Sequence, residues 1–175
     1  MLSNVELIVL SLVHEKPSYA YEIEKQIETR NMRLWVKIGI ASIYQVLERL
    51  NKKDFVKFEV EREGKAPERK RFFVTEAGLQ ELRSSVKELL GTLEWFYLDL
   101  NVAIEGSHVL EASEIRECLE RRLDIVRHSL QRLRQMCENT DRTCRGDAIM
   151  RNVLGFREAE EKLLAEYLNT LFKGD

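Results

Sequence analysis

The chain has 175 residues and a mass of 20.6 kDa, enough for one domain or two small ones. Hydrophobic residues make up 44% of it and charged residues 33%, so a folded core is expected and general disorder is not. With only 2 prolines and 8 glycines, the chain has little material for linkers and tight turns, which favours a mostly helical protein.

Neither a membrane protein nor a disulfide scaffold is expected. The longest apolar stretch, residues 5–13, is interrupted by polar residues and is too short to span a bilayer. It also lacks the basic flank and the cleavage site of a secretory signal. Cys118, Cys137 and Cys144 form an odd set without a Cys-x-x-Cys pair, which fits a reducing cytoplasm.

Charge is distributed unevenly along the chain. The whole sequence carries 28 basic and 30 acidic side chains, a formal net charge of -2, whereas residues 30–73 contain 12 basic and 6 acidic ones, a net charge of +6. A basic window in an acidic protein is typical of a local surface that binds a polyanion. An ordinary solvated surface fits the count equally well.

Two short helices are predicted at the N-terminus. Ser3 and Glu6 have the spacing of a capping box, and the residues that follow are apolar on nearly every side, so this helix needs burial against several neighbours. Pro17 ends it. Ser18 is predicted to cap a second helix. The inward positions of that helix are Ala20, Ile23 and Ile27.

A third helix is predicted over residues 40–52, with an inward stripe at steps of three and four residues. The stripe consists of Ile40, Ile43, Leu47 and Leu50. The opposite face offers Ser42, Gln45 and Arg49, with Tyr44 at the boundary. Short or hydrogen-bonding side chains followed by a cation are suited to a helix that enters a DNA groove.

A β-hairpin is predicted next, with strands over residues 55–60 and 70–75 and a charged connection that contains Gly64 and Pro67. Thr75 is predicted to cap the following helix. Three short helices and a basic hairpin have the order of a winged helix-turn-helix. In that arrangement helix 2 crosses the DNA backbone, helix 3 faces the major groove, and the hairpin reaches phosphates or the minor groove.

Three segments carry a more specific pattern. Residues 17–23 read Pro-Ser-Tyr-Ala-Tyr-Glu-Ile, residues 41–50 read Ala-Ser-Ile-Tyr-Gln-Val-Leu-Glu-Arg-Leu, and residues 64–78 read Gly-Lys-Ala-Pro-Glu-Arg-Lys-Arg-Phe-Phe-Val-Thr-Glu-Ala-Gly. In this order they resemble the PadR family of transcriptional regulators. Its corresponding motifs are Pro-x-x-Gly-Tyr-Glu-Ile, the recognition helix Gly-Thr-Ile-Tyr-Pro-Ala-Leu-x-Arg-Leu, and the wing Gly-x-x-x-x-Arg-Lys-x-Tyr-x-x-Thr-x-x-Gly.

The resemblance implies a cytoplasmic, homodimeric prokaryotic repressor whose DNA affinity often falls when a small molecule binds. It also implies a C-terminal helical region that dimerises. The chain departs from the family pattern where Ala20, Ala41 and Asp54 replace glycines and where Gln45 replaces a proline. Because the Gln45 amide both donates and accepts hydrogen bonds, the operator sequence of relatives does not carry over.

Two long amphipathic helices are predicted in the second half. The first opens at Ala112 or Ser113 and has a nearly heptad stripe. That stripe is Ile115, Leu119, Leu123, Val126, Leu130, Leu133 and Cys137. The stripe of the last helix is Ile149, Val153, Phe156, Leu163, Tyr167 and Leu171. This apolar surface exceeds what one copy covers, so a symmetric dimer is the simplest arrangement. A monomeric helical hairpin packed on the winged domain is the alternative.

Aromatic residues are concentrated over residues 89–98. Trp95 and Phe96 are predicted to form one wall of a pocket near the dimer interface, where they stack on a small aromatic effector. Ordinary core packing is the alternative. Trp35, which precedes the third helix, is either their partner or a separate core residue.

The sequence does not predict an enzyme. His14, His108 and His128 are scattered, and no cluster has the spacing of metal ligands. Neither a glycine-rich phosphate loop nor a nucleophile elbow is present. No catalytic residue, metal or cofactor is therefore expected.

The predicted fold is mostly α with a small β-hairpin: a winged helix-turn-helix DNA-binding domain over residues 1–82, then a helical dimerisation domain over residues 83–175. The predicted function is a sequence-specific transcriptional regulator, a repressor relieved by a small-molecule effector. Its partners are a palindromic operator in double-stranded DNA and a second copy of the chain, with no membrane. The predicted DNA contacts are Tyr19, Tyr21, Ser42, Tyr44, Gln45, Arg49, Lys65, Arg69 and Lys70. A winged-helix protein-interaction module without DNA binding is the alternative, which the basic window disfavours.

Overall fold

The computed structural model describes residues 2–62, 68–138 and 143–172. The chain forms two compact units, Met1–Glu94 and Trp95–Asp175. The sequence placed the boundary between a DNA-binding and a dimerisation domain after Leu82, inside a helix that continues to Gly91. The assignment of those two functions to the two parts of the chain stays a proposal.

The described residues of the first unit form four α-helices and a three-stranded antiparallel sheet. The helices are α1 (Asn4–Glu15), α2 (Ala20–Thr29), α3 (Ile40–Lys52) and α4 (Glu76–Gly91), with a 3-10 turn at Met32–Leu34. The strands are β1 (Ser18–Tyr19), β2 (Val56–Glu61) and β3 (Arg69–Val74), in the order β1-β3-β2. The predicted order of three helices, a hairpin and a further helix is confirmed.

Strand β1 was not predicted, and the cap of α2 was predicted at the wrong residue. The N-cap is Tyr19, whose backbone amide donates to the Glu22 carboxylate 3.0 Å away. Ser18 is instead buried and pairs with Phe72 of β3, and its hydroxyl donates to the Lys16 carbonyl. Two residues carry too little pattern to indicate a strand; β1 forms because β3 presents a second edge to it. The pairing joins the start of α2 to the hairpin.

The core of the first unit lies between α1, α2, α3 and the sheet. The Ser3–Glu6 capping box of α1 is present as predicted, and α1 buries residues on most of its circumference. The predicted inward stripe of α3 is confirmed at Ile43, Leu47 and Leu50. Val46, which was not predicted to face inward, is also fully buried. The side chain of Ile40, the fourth predicted member of the stripe, is not among those that the structure describes.

Helix α4 starts at the predicted cap, Thr75. The Thr75 hydroxyl accepts a hydrogen bond from the Gly78 amide at 3.0 Å and donates to the Asp54 carbonyl at 2.6 Å. A Cβ on Gly78 would lie 2.0 Å from the carbonyl oxygen of Phe55, so the close approach of α4 to this turn requires glycine. Asp54 in the same turn has φ of 57°, a left-handed conformation at a position where the PadR pattern has glycine.

The described residues of the second unit form α5 (Asp99–Gly106), a 3-10 turn at Ser107–Val109, α6 (Ala112–Glu138) and α7 (Cys144–Leu171). Helix α5 was not predicted. Helices α6 and α7 pack along each other in opposite directions, since Arg116 near the start of α6 lies over the ring of Phe172 beyond the end of α7. None of the helices in the described part of the chain is long and apolar enough to cross a membrane.

The predicted stripe of α6 is confirmed, whereas that of α7 is partly wrong. Leu119, Leu123, Val126, Leu130 and Leu133 are buried. On α7 the fully buried residue is Leu164, while Phe156, Leu163 and Leu171 are 51%, 43% and 43% exposed. Apolar residues occupy more than one face of α7, and only the packing against α6 decides which of these faces becomes the core.

Candidate nucleic-acid interface

Helix α3 presents a polar outer face opposite its buried stripe. Tyr44 is 58% exposed, Gln45 and Arg49 are also exposed, and Ser42 is half-buried. Because Ser42, Gln45 and Arg49 are spaced by three and four residues, they lie on one side of the helix. Tyr44, predicted at the boundary of this face, lies three residues before buried Leu47 and has an exposed ring.

The Glu6 carboxylate of α1 holds the C-terminal end of α3. Glu6 is 5% exposed, accepts a hydrogen bond from Lys53 Nζ at 2.8 Å and lies 3.7 Å from Arg49 Nε. Burial raises the pKa of Glu6, but hydrogen bonds from Lys53 and from the Ser3 backbone and hydroxyl outweigh it, so the pKa falls from 4.5 to about 2. The buried carboxylate is therefore ionised at neutral pH and ties the Arg49 guanidinium to the end of the helix.

Two exposed cations of β3 lie against aromatic rings. Arg69 and Lys70 are both exposed, and as consecutive residues of β3 they point to opposite faces of the hairpin. The Lys70 ammonium lies 4.4 Å from the ring centroid of Phe58, and the Arg69 guanidinium lies 5.8 Å from that of Tyr21. These cation–π contacts keep the charges close to the protein surface. The third predicted wing cation, Lys65, lies outside the described residues.

A hydrogen-bonded network joins the start of α2 to the base of the wing. The Tyr19 hydroxyl donates to the Glu61 carboxylate and accepts from the Arg71 guanidinium at 3.0 Å. Arg71 Nε also lies 3.3 Å from Glu61, and the guanidinium lies 4.8 Å from the centroid of the Tyr19 ring. The hydrogen bond to Glu61 raises the pKa of the Tyr19 hydroxyl, which therefore keeps its proton at neutral pH. We call Tyr19, Glu61 and Arg71 the wing-base network.

The ring of Tyr21 lies outside this network. It stacks on the ring of Tyr19 with centroids 5.5 Å apart and planes inclined by 8°. Tyr21 is 51% exposed, whereas Tyr19 is half-buried. Sequence reasoning singled out both tyrosines but missed Glu61 and Arg71, because these partners are 42 and 52 residues from Tyr19 in the chain. The signal that would have found them is the pairing of Tyr19 with Arg71 across β1 and β3.

The three residues predicted for an effector site lie in different surroundings. Trp35 is half-buried and packs against the core of the first unit. Trp95 and Phe96, in the second unit, are 73% and 58% exposed, and Phe96 meets Phe156 edge-on at 5.0 Å. A groove of about 620 Å³ where α6 begins and α7 ends contains none of the three. Its lining residues are Arg116, Glu120, Glu166, Leu168, Asn169, Thr170 and Phe172.

Across residues 2–62, 68–138 and 143–172, no three His, Cys, Asp or Glu side chains are grouped so that they could hold a metal ion.

An exposed third helix beside a β-hairpin wing defines the first unit as a winged helix-turn-helix. Residues 9–84 match the Transcriptional regulator PadR-like family. These residues lie within the first unit and include the three motifs, and the family that they match is one of transcriptional regulators and not of enzymes. No curated protein matches the sequence.

Solved structures share the fold over nearly the whole chain. Bacillus subtilis PadR in complex with operator DNA has a TM-score of 0.82 at 16% identity, covering 97% of this chain and 99% of that one. The same protein with p-coumaric acid has a TM-score of 0.80 at 16% identity, covering 95% and 98%. The PadR-like regulator BC1756 from Bacillus cereus has a TM-score of 0.72 at 17% identity, covering 97% and 99%. Likeness at such low identity establishes the fold.

Proposed function

We propose that the chain is a dimeric repressor that binds a palindromic operator through α3 and the wing, and that a small aromatic molecule releases it from DNA. The observation that carries the proposal is the polar outer face of α3, exposed beside a wing with cations on both of its faces. Bacillus subtilis PadR has been solved with operator DNA and with p-coumaric acid, which supports both parts of the proposal. A repressor of this kind acts in the cytoplasm.

The outer face of α3 is the proposed base-reading surface. Gln45 offers a donor and an acceptor side by side, the combination that pairs with an adenine edge, and the Ser42 hydroxyl does either. Tyr44 adds an exposed ring to the same surface. Arg49 is held by Glu6 at the end of the helix, where its outer nitrogens reach a phosphate. The sequence preference of the protein therefore comes from the first turns of α3.

The wing supplies affinity that is independent of sequence. Arg69 and Lys70 are proposed to contact phosphates from the two faces of the hairpin, with Lys65 in the same role on the basis of the sequence alone. Tyr21 reaches the DNA backbone from the start of α2 with its exposed ring. Each phosphate neutralised by a cation releases counterions from the DNA, so binding weakens steeply as salt rises.

The apolar surface that α6 and α7 leave uncovered is the proposed dimer interface. Ile125 is 63% exposed, Phe156 51% and Leu163 43%, although all three lie on long helices of the second unit. A second copy related by two-fold symmetry covers such a surface and gives the protein two recognition helices. Half-sites of a palindrome then lie about 34–36 Å apart, one turn of DNA.

The effector proposal rests on Trp95 and Phe96, with Trp35 as the more distant candidate. p-Coumaric acid serves as the probe. Quenching of tryptophan fluorescence in the wild type and its loss in Trp95→Phe, which keeps Trp35, would support a site at Trp95. Equal quenching in both proteins would assign the signal to Trp35.

The experiment that tests the function is selection of bound fragments from a random pool of DNA, with binding repeated at two salt concentrations. We expect a palindrome with half-sites one helical turn apart and an affinity that falls steeply with salt. Failure to recover a consensus, together with weak salt dependence, would contradict the proposal and favour a protein-interaction module.

Three variants separate the proposed roles. Gln45→Ala should relax the preference at one base pair by about 1–3 kcal/mol, whereas Lys65→Ala and Arg69→Ala should weaken all sequences about equally and reduce the salt slope by about one each. Identical effects of all three variants on every sequence would show that the roles are assigned wrongly.

A further inference from the structure

We propose that Tyr19 is a positioning residue for DNA binding, which holds the wing against the start of α2 through Glu61 and Arg71 and makes no contact with DNA itself. The inference rests on the proposed function. It changes the role predicted for Tyr19 from a contact with the DNA backbone to a support for the residues that make such contacts.

The hydrogen-bonding capacity of the Tyr19 hydroxyl is the first argument. A tyrosine hydroxyl has a single proton to donate, and a phosphate oxygen only accepts. The Tyr19 proton is already given to the Glu61 carboxylate, and a lone pair of the same oxygen is taken by Arg71. To bind a phosphate, the hydroxyl would have to give up its hydrogen bond to the Glu61 carboxylate. The negative charge of Glu61 would then remain close to the phosphate and repel it.

The charge of Arg71 supports the same conclusion. Its guanidinium faces Glu61 at 3.3 Å and donates to Tyr19, and these contacts raise the pKa of Arg71 further. Arg71 is thus neutralised by a neighbour within the sheet. Among the described residues of β3, Arg69 is the cation on the same face that remains for phosphate, two residues nearer the wing tip.

Stacked side chains connect the wing-base network to the two residues proposed to contact DNA, Tyr21 and Arg69. Arg71 lies over Tyr19, Tyr19 stacks on Tyr21, and Arg69 lies over Tyr21. Arg71 and Tyr19, at one end of this stack, are hydrogen-bonded and half-buried, whereas Tyr21 and Arg69, at the other end, are exposed. The wing-base network therefore sets where Tyr21 and Arg69 stand relative to each other.

The backbone makes this support necessary. Strand β1 has two residues and pairs with β3 only at Ser18–Phe72 and Tyr19–Arg71. So short a ladder restrains the hairpin weakly, and side-chain contacts across it supply the rest. When the wing is less restrained, ordering it on DNA costs conformational entropy, and affinity falls without the loss of any contact to DNA.

A double-mutant cycle on operator affinity tests the proposal. The selected operator is titrated with the full-length wild type, Tyr19→Phe, Glu61→Ala and the double variant, and fluorescence anisotropy of labelled DNA gives each Kd. Tyr19→Phe keeps the ring, its stacking and the net charge, and removes only the hydroxyl. We expect it to weaken binding about fivefold in the wild-type background and less than about twofold when Glu61→Ala has already removed the acceptor of the hydrogen bond.

Tyr21→Phe is the matched control, since it removes a hydroxyl from the neighbouring ring of the same stack. Its coupling to Glu61→Ala should be much smaller than that of Tyr19→Phe, because the hydrogen bonds of the network run through the Tyr19 hydroxyl and not through that of Tyr21. The salt slope of Tyr19→Phe should equal that of the wild type, because Arg69 and Lys70 keep their charges. A role in folding alone would lower the melting temperature without a coupling to Glu61 in Kd.

Each other outcome overturns the inference in a recognisable way. If Tyr19→Phe weakens binding equally in both backgrounds, its hydroxyl contacts DNA directly; if it has no effect, the network does not position the wing. Should Tyr19→Phe fail to fold, Glu61→Asp withdraws the carboxylate from the Tyr19 hydroxyl at constant charge, and Glu59→Asp on the same strand is its control. Equal affinities of these two variants would overturn the proposal. A wild type that binds no DNA at all would instead overturn the function itself.

Discussion

Glu6 shows how a single residue links folding to the recognition helix. Its pKa of about 2, below the ordinary 4.5, means that the folded state stabilises the ionised form by about 3 kcal/mol. Because the folded pKa is the lower one, this stabilisation is complete above pH 4.5 and is lost as the pH falls towards 2. The orientation of α3 therefore depends on a buried charge on α1.

We expect Glu6→Gln to lower the free energy of unfolding by about 2–3 kcal/mol at pH 7 and by about half as much near pH 3, because the carboxyl of the unfolded chain is protonated there while the folded one, with a pKa of about 2, stays mostly ionised. Urea unfolding at the two pH values measures this. Glu48→Gln on the exposed face of α3 is the control and should change stability by less than about 0.5 kcal/mol. An equal loss at both pH values would show that shape, and not charge, is what Glu6 contributes.

At the scale of elements, the junction of α4 with the turn before β2 depends on Gly78. A methyl group there would lie 2.0 Å from the Phe55 carbonyl oxygen. Because this oxygen belongs to the backbone, it cannot move aside as the end of a flexible side chain can. We expect Gly78→Ala to cost about 2–3 kcal/mol of stability in thermal unfolding. Gly91→Ala at the end of the same helix has nothing within 4 Å and should stabilise by up to about 1 kcal/mol. Equal effects would mean that helix propensity alone matters at both glycines.

At the scale of the whole molecule, the exposed apolar residues of α7 are part of the proposed dimer interface. Leu163 is 43% exposed, whereas its neighbour Leu164 is fully buried against α6. We expect Leu163→Glu to leave the fold intact and to weaken self-association at least about tenfold in sedimentation equilibrium, since a charge would be buried at the interface. Asn169→Glu, exposed on another face of α7, should leave association unchanged. Dimerisation unaffected by Leu163→Glu would place the interface elsewhere.

Much of the fold followed from local patterns. The Ser3–Glu6 capping box, the stripe Ile43–Leu47–Leu50, the Thr75 cap and the heptad stripe of α6 are all predicted correctly, since each depends on residues within one or two turns of one another. Strand β1 and the buried face of α7 were not, because two residues carry no period and because α7 is apolar on more than one face.

The sequence by itself determined the class of protein, the order of its elements and the outer face of α3, because spacing along a helix decides which side chains share a surface. Only the tertiary structure decided which distant residues hold these surfaces in place. Glu6 meets Lys53 and Tyr19 meets Glu61 across 47 and 42 residues of chain, and hydrogen bonds of this kind form only after distant segments have been packed together. The separation of the residues proposed to touch DNA from those proposed to position them follows from these contacts.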